Sequence, residues 1–219
     1  FFFFFGLSIH AATLSRSGSG FQVEDFYRRW LRRLMPALLA SMVATAIIFA
    51  VFQHGDLRTQ GWALLATLTF QQDVLAPNFG GNAPYWSLAH EAYYYLLYPA
   101  LLLVARKLGG TRALAVFTVA SLMLWSVLPM GGRLAAYYPV WLAGFWLAEL
   151  LSKDQSIPLW MVVSSLGVVL ISLGTTIFQR THPLLAHPLW LAVYGVALTA
   201  VVYLWLTQLE LEKMPPALR

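Results

Sequence analysis

Long apolar runs alternate with short polar segments along most of the chain, and this pattern predicts membrane helices. An α-helix needs roughly 20 apolar residues to cross the ~30 Å hydrocarbon layer of a bilayer. Runs of this kind occupy residues 34–52, 85–105, 113–130, 134–151, 158–178 and 184–206, and residues 1–14 have the character of the end of another. The pattern therefore predicts an all-α, polytopic integral membrane helical bundle with about seven or eight membrane segments.

One apolar segment is too short for a clear assignment. Residues 61–75 end in the polar side chains Gln71, Gln72 and Asp73, so they form either a short span or a re-entrant segment. Residues 76–84 contain two Pro, two Asn and two Gly, and this composition predicts a loop.

The basic residues bear on orientation, because cytoplasmic loops carry an excess of Lys and Arg. The strongest cluster, at residues 28–33, is interpreted as a cytoplasmic loop. If residues 61–75 re-enter, Arg106, Lys107 and Lys153 also lie inside, whereas a full span would place them outside. Charge counting therefore favours the re-entrant alternative.

Composition supports a membrane protein, since 59% of the residues are hydrophobic and 11% are charged, against about a quarter charged in soluble domains. The formal charge of +5 resides mainly in short loops, which indicates topology rather than nucleic-acid binding. Cysteine is absent, which excludes a disulfide, a thiol nucleophile or a Cys-bound metal. The chain opens inside an apolar run and closes on a Pro-containing loop, so we expect one transmembrane domain over residues 1–219, truncated at both ends.

A carboxylate inside the apolar run at 85–105 is the sharpest candidate for chemistry. A charge near the bilayer centre costs on the order of 3 kcal/mol, so Glu91 is expected to face a protein interior or a wet cavity. At helical spacing Ser87, Glu91, Tyr94 and Tyr98 share one face. The alternative is that Glu91 is solvated at the interface and the tyrosines form an aromatic belt.

Two other charged groups follow helical spacing. Arg29, Arg32 and Arg33 lie within one turn of each other, and guanidinium groups suit phosphate because they bind it bidentately. Ordinary positive-inside topology is the alternative explanation for them. Glu149 and Lys153 are four residues apart, which predicts an ion pair along one helix.

Three segments of the chain resemble the motifs of one protein family. Residues 86–99 follow the pattern Trp-Ser-Leu-x-x-Glu-x-x-Phe-Tyr-Leu-x-x-Pro, with Tyr94 in place of Phe. Residues 26–36 are similar to the basic entry to the third helix of that family. Residues 1–10 align with a Phe-Phe-Val-Leu-Ser-Gly-Phe-x-Ile-His helix and keep His10, but Phe5 stands where the family usually has Ser. The chain therefore resembles the acyltransferase 3 family of membrane O-acyltransferases.

The resemblance implies an enzyme of the bacterial cytoplasmic (inner) membrane that moves an acyl group, usually acetyl, from acyl-CoA. The acceptor would be a hydroxyl of a cell-envelope or exported carbohydrate, such as a polysaccharide, a lipopolysaccharide or a lipid-linked glycan. Neither a His-x-Glu-x-His pattern nor a Gly-x-x-x-x-Gly-Lys loop appears, so no metal or nucleoside-triphosphate site is expected.

The resemblance also implies roles for particular residues. Arg29, Arg32 and Arg33 would receive the CoA phosphates, and Glu91 would orient a general base or balance its charge. That base, a His in the family, is expected upstream of Phe1. Ser87 and Tyr94 would form hydrogen bonds to substrate, and His10 is a further candidate for the site.

Two other classes of membrane protein remain as alternatives. A polytopic transporter or a flippase of a lipid-linked sugar would also have buried carboxylates and a basic cytoplasmic face, and it predicts internal repeats and broken helices. A structural or sensory membrane protein would leave Glu91 without a role.

Overall fold

The computed structural model describes residues 1–16, 20–52, 57–127, 132–153, 155–157, 159–178 and 188–213. Within these ranges the chain is helical apart from short connections, so the predicted all-α fold is confirmed. A short 3₁₀ turn, Phe79–Gly81, precedes the fourth helix. In chain order the helices are α1 (Phe2–Leu14), α2 (Val23–Phe52), α3 (Leu57–Leu68), α4 (Tyr85–Leu108), α5 (Gly110–Val127), α6 (Gly132–Ser152), α7 (Leu159–Phe178) and α8 (Pro188–Lys213).

Several helices have the dimensions of membrane spans. Among the described residues, four stretches are both long and apolar enough to cross a bilayer: Val23–Phe52, Gly110–Val127, Gly132–Ser152 and Pro188–Thr207. Large apolar side chains on α2 are exposed, with Val43, Ile47 and Val51 each about 60% accessible, as expected for a face in contact with lipid. The chain is therefore an integral membrane protein. The predicted end at residue 130 and start at residue 184 lie outside the described residues.

The basic segment at residues 28–33 is helical, whereas the sequence interpretation placed it in a loop. Helix α2 begins at Val23 and continues through Pro36. Glu24 and Asp25 occupy its first turn, where carboxylates favour the positive end of the helix dipole. Phe26 and Trp30 are buried on one side of this segment. Their packing stabilises the helical conformation that charge alone did not indicate.

Residues 57–84 form a hairpin along α2. Helix α3 has 12 residues, about 18 Å of helix, which is shorter than the ~30 Å hydrocarbon layer. Gly80 donates its N–H to Gln60 Oε1 at 3.0 Å and packs against Thr45. The ring of Phe70, at the turn, lies 5.6 Å from that of Trp30. Since Trp30 and Thr45 are about 22 Å apart along α2, the chain runs along that helix and returns. Re-entry into the membrane from one side stays a prediction.

The hairpin tip, residues 70–76, is polar and is held by α4. Phe70 and Asp73 both have positive φ, 58° and 64°, a left-handed conformation that costs an L-residue roughly 1–2 kcal/mol. Contacts to α4 offset this cost. They are Tyr93 Oη to Gln71 Oε1 at 2.5 Å, Gln72 Nε2 to the Tyr85 carbonyl at 2.9 Å, and Asp73 Oδ2 to His90 Nε2 at 3.3 Å.

Helix α6 is the buried centre of a second set of helices. Helix α1 runs parallel to it, because the Phe2 ring lies 5.6 Å from Tyr137 and the His10 ring lies 3.9 Å from Phe145. On other sides α6 contacts α8 and α5. Thr199 on α8 donates to the Ala143 carbonyl at 3.2 Å.

The backbones of α1 and α6 touch at two glycines. A Cβ on Gly6 would lie 2.0 Å from the Trp141 carbonyl oxygen, and one on Gly144 would lie 1.9 Å from the Phe3 carbonyl oxygen. Small residues at such crossings let helix backbones approach closely within a membrane, where close packing replaces the hydrophobic effect as the driving force.

The chain divides into two compact units. The first comprises Phe1–Arg16 and Leu101–Arg219, and the second comprises Ser17–Ala100. The first unit contains α1 and α5 to α8, and the second contains α2 and the hairpin, which includes α3. Helix α4 contributes its first part to the second unit and its last part to the first. A single domain over residues 1–219 stays a prediction.

Candidate functional site

In the second unit, Glu91 belongs to a group that we call the Glu91 cluster, which consists of the exposed Arg33 and the buried residues Trp30, Glu91 and Tyr95. The Glu91 side chain is 2% exposed, and its Oε1 atom lies 3.9 Å from Arg33 Nη2. Arg33 also donates to Tyr95 Oη at 3.2 Å. Tyr95 in turn is a hydrogen-bonding neighbour of the Glu91 carboxylate. Glu91 is therefore enclosed by protein, and the alternative of a solvated interfacial carboxylate is wrong.

The cluster forms because α2 and α4 pack antiparallel. At one end Thr45 Oγ1 and Tyr85 Oη are 3.0 Å apart, and at the other the Phe26 and Tyr98 rings stack at 5.0 Å. Such aromatic pairs contribute about 0.5–1.5 kcal/mol beyond their buried area. This register brings Arg33 opposite Glu91. A buried carboxylate without a cation costs several kcal/mol, and Arg33 offsets that cost.

The three arginines of the predicted phosphate site are not equivalent. Arg29 and Arg32 are exposed on α2, whereas Arg33, although its side chain is 56% exposed, reaches the Glu91 carboxylate. Arg28 pairs instead with Glu24 one turn earlier on the same helix. Arg29 and Arg32 are thus the cations exposed to a phosphate, whereas Arg33 pairs with Glu91.

The predicted polar stripe on α4 is only partly assembled. Ser87 is half-buried and donates its hydroxyl to the Pro84 carbonyl at 2.9 Å, a contact within the first turn of α4. Tyr94 is buried, and its ring lies 6.4 Å from that of His90. The tyrosine that meets Arg33 and Glu91 is Tyr95. Tyr95 is four residues after Glu91, and this spacing also places it on the same helix face, whereas the predicted stripe includes Tyr94.

Sequence reasoning missed the pairing of His90. Its ring is fully buried, and Nε2 lies 3.3 Å from Asp73 Oδ2 at the hairpin tip. Trp86 packs against the same ring with centroids 5.2 Å apart. Consecutive residues of a helix point in different directions, so His90 faces the hairpin while Glu91 faces Arg33. Only the fold of the hairpin reveals its partner.

The first unit contains a separate buried network around Glu149. His10 is fully buried, and its Nε2 atom lies 2.8 Å from Glu149 Oε1. Lys153 donates to the other oxygen of Glu149, so the predicted pair along one helix is confirmed. The contact with His10 was not predicted. It ties α1 to the end of α6 with a charge-assisted hydrogen bond.

A cleft of about 180 Å³ opens beside this network, lined by residues that include Arg112, Trp146 and Lys153. Trp146 donates its indole N–H to Thr111 Oγ1 at 3.0 Å and closes one wall. Within the described ranges, no three His, Asp or Glu side chains gather in a group able to hold a metal ion.

Comparisons with known proteins give partial matches at low identity. An uncharacterised protein of Haemophilus influenzae is 26% identical over 121 residues, which is 50% of this chain and 49% of that protein. YrhL of Bacillus subtilis, provisionally named a peptidoglycan O-acetyltransferase, is 26% identical over 143 residues, 59% of this chain and 23% of its own length. The peptidoglycan O-acetyltransferase OatA of Listeria monocytogenes is 33% identical over 98 residues, 39% of this chain and 16% of its own length.

No family model matches the chain, and no solved structure matches it. The chain spans half or less of the length of the relatives it matches. It is thus similar at low identity to proteins named as peptidoglycan O-acetyltransferases. Its place in the acyltransferase 3 family stays a prediction.

Proposed function

We propose that this chain is the membrane part of an O-acyltransferase that moves an acetyl group from acetyl-CoA to a hydroxyl of a cell-envelope carbohydrate. The observation that carries the proposal is the buried Glu91 beside Arg33, in the two helices whose sequences resemble the family motifs. The similarity to proteins named as peptidoglycan O-acetyltransferases supports the same reaction class.

The arrangement of charges suits the two substrates. Arg29 and Arg32 are exposed at the basic end of α2, where guanidinium groups bind the phosphates of a CoA ester. Glu91 lies deeper in the same helix pair and is accompanied by Arg33. The Glu91 carboxylate assists the transfer of the proton from the acceptor hydroxyl to the general base. The resemblance implies that this base is a His upstream of Phe1. Lipid surrounds the bundle, and the acceptor is a polysaccharide or a lipid-linked glycan.

Replacement of Glu91 tests the proposal. Glu91→Gln keeps the shape of the side chain and removes its charge, so we expect transfer to fall at least about a thousandfold if the charge acts in the reaction. The measurement is incorporation of radiolabelled acetyl groups from acetyl-CoA into envelope glycan, in membranes that contain the full-length protein.

Glu24→Gln is the matched control, because Glu24 is 81% exposed and pairs only along α2 with Arg28 among the described residues. Its transfer rate is expected to be unchanged. Full transfer by the Glu91→Gln protein would refute the role of Glu91. A transporter or flippase would move glycan without any incorporation of label, even in the parent protein.

A further inference from the structure

Two buried polar atoms of the Glu91 cluster have no hydrogen-bond partner among the described residues. They are the indole nitrogen of Trp30, a residue 7% exposed, and Oε1 of Glu91, a residue 2% exposed. A buried donor or acceptor without a partner costs about 1–3 kcal/mol. Such atoms are uncommon in folded proteins, and a catalytic role or a bound water or ion is among the reasons for their presence.

Both atoms belong to the same contact between α2 and α4. The Trp30 ring meets the Tyr95 ring edge-on, with centroids 5.7 Å apart. Tyr95 lies one turn after Glu91 on α4 and is a hydrogen-bonding neighbour of its carboxylate. Arg33 lies one turn after Trp30 on α2 and pairs at 3.9 Å with Glu91 Oε1, a distance too long for a hydrogen bond. Trp30 and Glu91 therefore share Tyr95 as a neighbour.

The two atoms are chemically complementary. An indole N–H only donates, and an ionised carboxylate oxygen only accepts. A hydroxyl group does both, since it has one hydrogen to donate and two lone pairs that accept. A thioester carbonyl or a phosphate accepts only, so it would satisfy Trp30 and leave Glu91 without a donor.

We propose that Trp30 and Glu91 together form the binding site for the acceptor hydroxyl. This inference rests on the proposed acyl transfer and adds Trp30 as a residue that recognises an alcohol. The hydroxyl donates its hydrogen to Glu91 Oε1 and accepts the Trp30 N–H with one lone pair. Its second lone pair attacks the acyl carbon, so that a C–O bond forms and the C–S bond breaks. The hydroxyl proton passes through the Glu91 carboxylate to the general base and ends on the sulfur of the CoA thiol.

An isosteric replacement tests the role of the indole N–H without changing the packing. Benzothienylalanine has the shape of tryptophan, but sulfur replaces the N–H group. We expect Trp30→benzothienylalanine in the full-length protein to lower acetyl transfer into envelope glycan about tenfold, the usual worth of one buried hydrogen bond. The KM for acetyl-CoA is expected to be unchanged, because the N–H contacts the acceptor.

The matched control is the same replacement at Trp62, which is 54% exposed. It is expected to transfer at the parent rate. The melting temperature of each purified protein is measured as a control for stability. Trp30→Phe provides a second protein that lacks the indole N–H.

The outcomes separate this inference from the proposed function. Transfer within twofold of the parent by both Trp30 proteins would overturn the inference, and a loss in Glu91→Gln alone would leave the proposed function standing. A tenfold loss accompanied by a raised KM for acetyl-CoA would also overturn it, because the indole would then serve the donor. Transfer at the parent rate by Glu91→Gln and by both Trp30 proteins would refute the inference and the proposed function together.

Discussion

At the residue scale, Arg33 differs from Arg29 and Arg32 because its guanidinium faces a buried carboxylate. Sequence spacing groups the three residues within one turn, and all three carry the same charge. The structure separates them, since only Arg33 lies within 4 Å of Glu91 and within hydrogen-bonding distance of Tyr95. Their replacements are therefore expected to affect different kinetic constants.

Arg33→Gln is expected to lower kcat for acetyl transfer at least about tenfold, because Glu91 loses the cation that offsets its burial. Arg32→Gln is expected to raise the KM for acetyl-CoA severalfold with kcat unchanged, since an exposed cation contributes to donor binding rather than to the chemical step. Steady-state kinetics in membranes separates the two effects.

Arg28→Gln removes the same charge from the same helix, but Arg28 pairs with Glu24, so it is the control for a general loss of positive charge. If all three replacements gave the same change, the arginines would act as topology signals alone.

At the element scale, the helices lie where apolar runs predict them. For two segments, however, charge and length alone do not predict the structure. The basic residues before Pro36 belong to α2, because the burial of Phe26 and Trp30 extends that helix. Residues 57–84 form a hairpin, and the polar side chains at its tip find partners on α4. Local pattern could not show this, since a short apolar helix suits either a span or a hairpin.

The contact between α1 and α6 gives a prediction at this scale. Gly144→Ala is expected to destabilise the protein by about 2 kcal/mol or more, because its Cβ would lie 1.9 Å from the Phe3 carbonyl oxygen, and backbone must move to relieve the clash. The melting temperature of the full-length protein in detergent measures the effect.

Gly167→Ala is the matched control in α7, where, among the described residues and apart from the helix's own backbone, no atom lies within 4 Å of the added Cβ. It is expected to be neutral or to stabilise by up to about 1 kcal/mol, because alanine favours helix. Equal melting temperatures for the two proteins would show that α1 and α6 are not in backbone contact.

At the scale of the whole molecule, basic residues lie at corresponding ends of several helices. Arg106 and Lys107 end α4, Arg112 begins α5, and Lys153 follows the end of α6. In the second unit, Arg29 and Arg32 lie near the start of α2. The positive-inside rule predicts that each of these ends lies in the cytoplasm, and the two assignments agree along the chain if the hairpin does not cross the membrane.

Cysteine labelling tests this topology. The sequence contains no cysteine. A single cysteine introduced here is therefore the only one labelled, provided that the full-length protein has no other cysteine. We expect Ala83→Cys to react with a membrane-impermeant maleimide in intact cells, and Lys107→Cys to react only after permeabilisation. Reaction of both in permeabilised cells is the control for reactivity. Labelling of Lys107→Cys in intact cells would mean that residues 61–75 cross the membrane.

The amino-acid sequence by itself determined the class of the protein and the candidate residues. Apolar run length decides whether a helix suits a bilayer, and this property is local, so the helices were predictable. A carboxylate in such a run is conspicuous for the same reason, which is why Glu91 stood out before its surroundings were known.

Only the tertiary structure decided which side chains meet. His10 and Glu149 are 139 residues apart, and the pairing of Arg33 with Glu91 depends on the register of α2 against α4. Register is set by side-chain packing between helices, and the local pattern of neither helix specifies it. Trp30 is a further case, because the fold, and not the local pattern, brings Trp30 and Glu91 against the same residue, Tyr95.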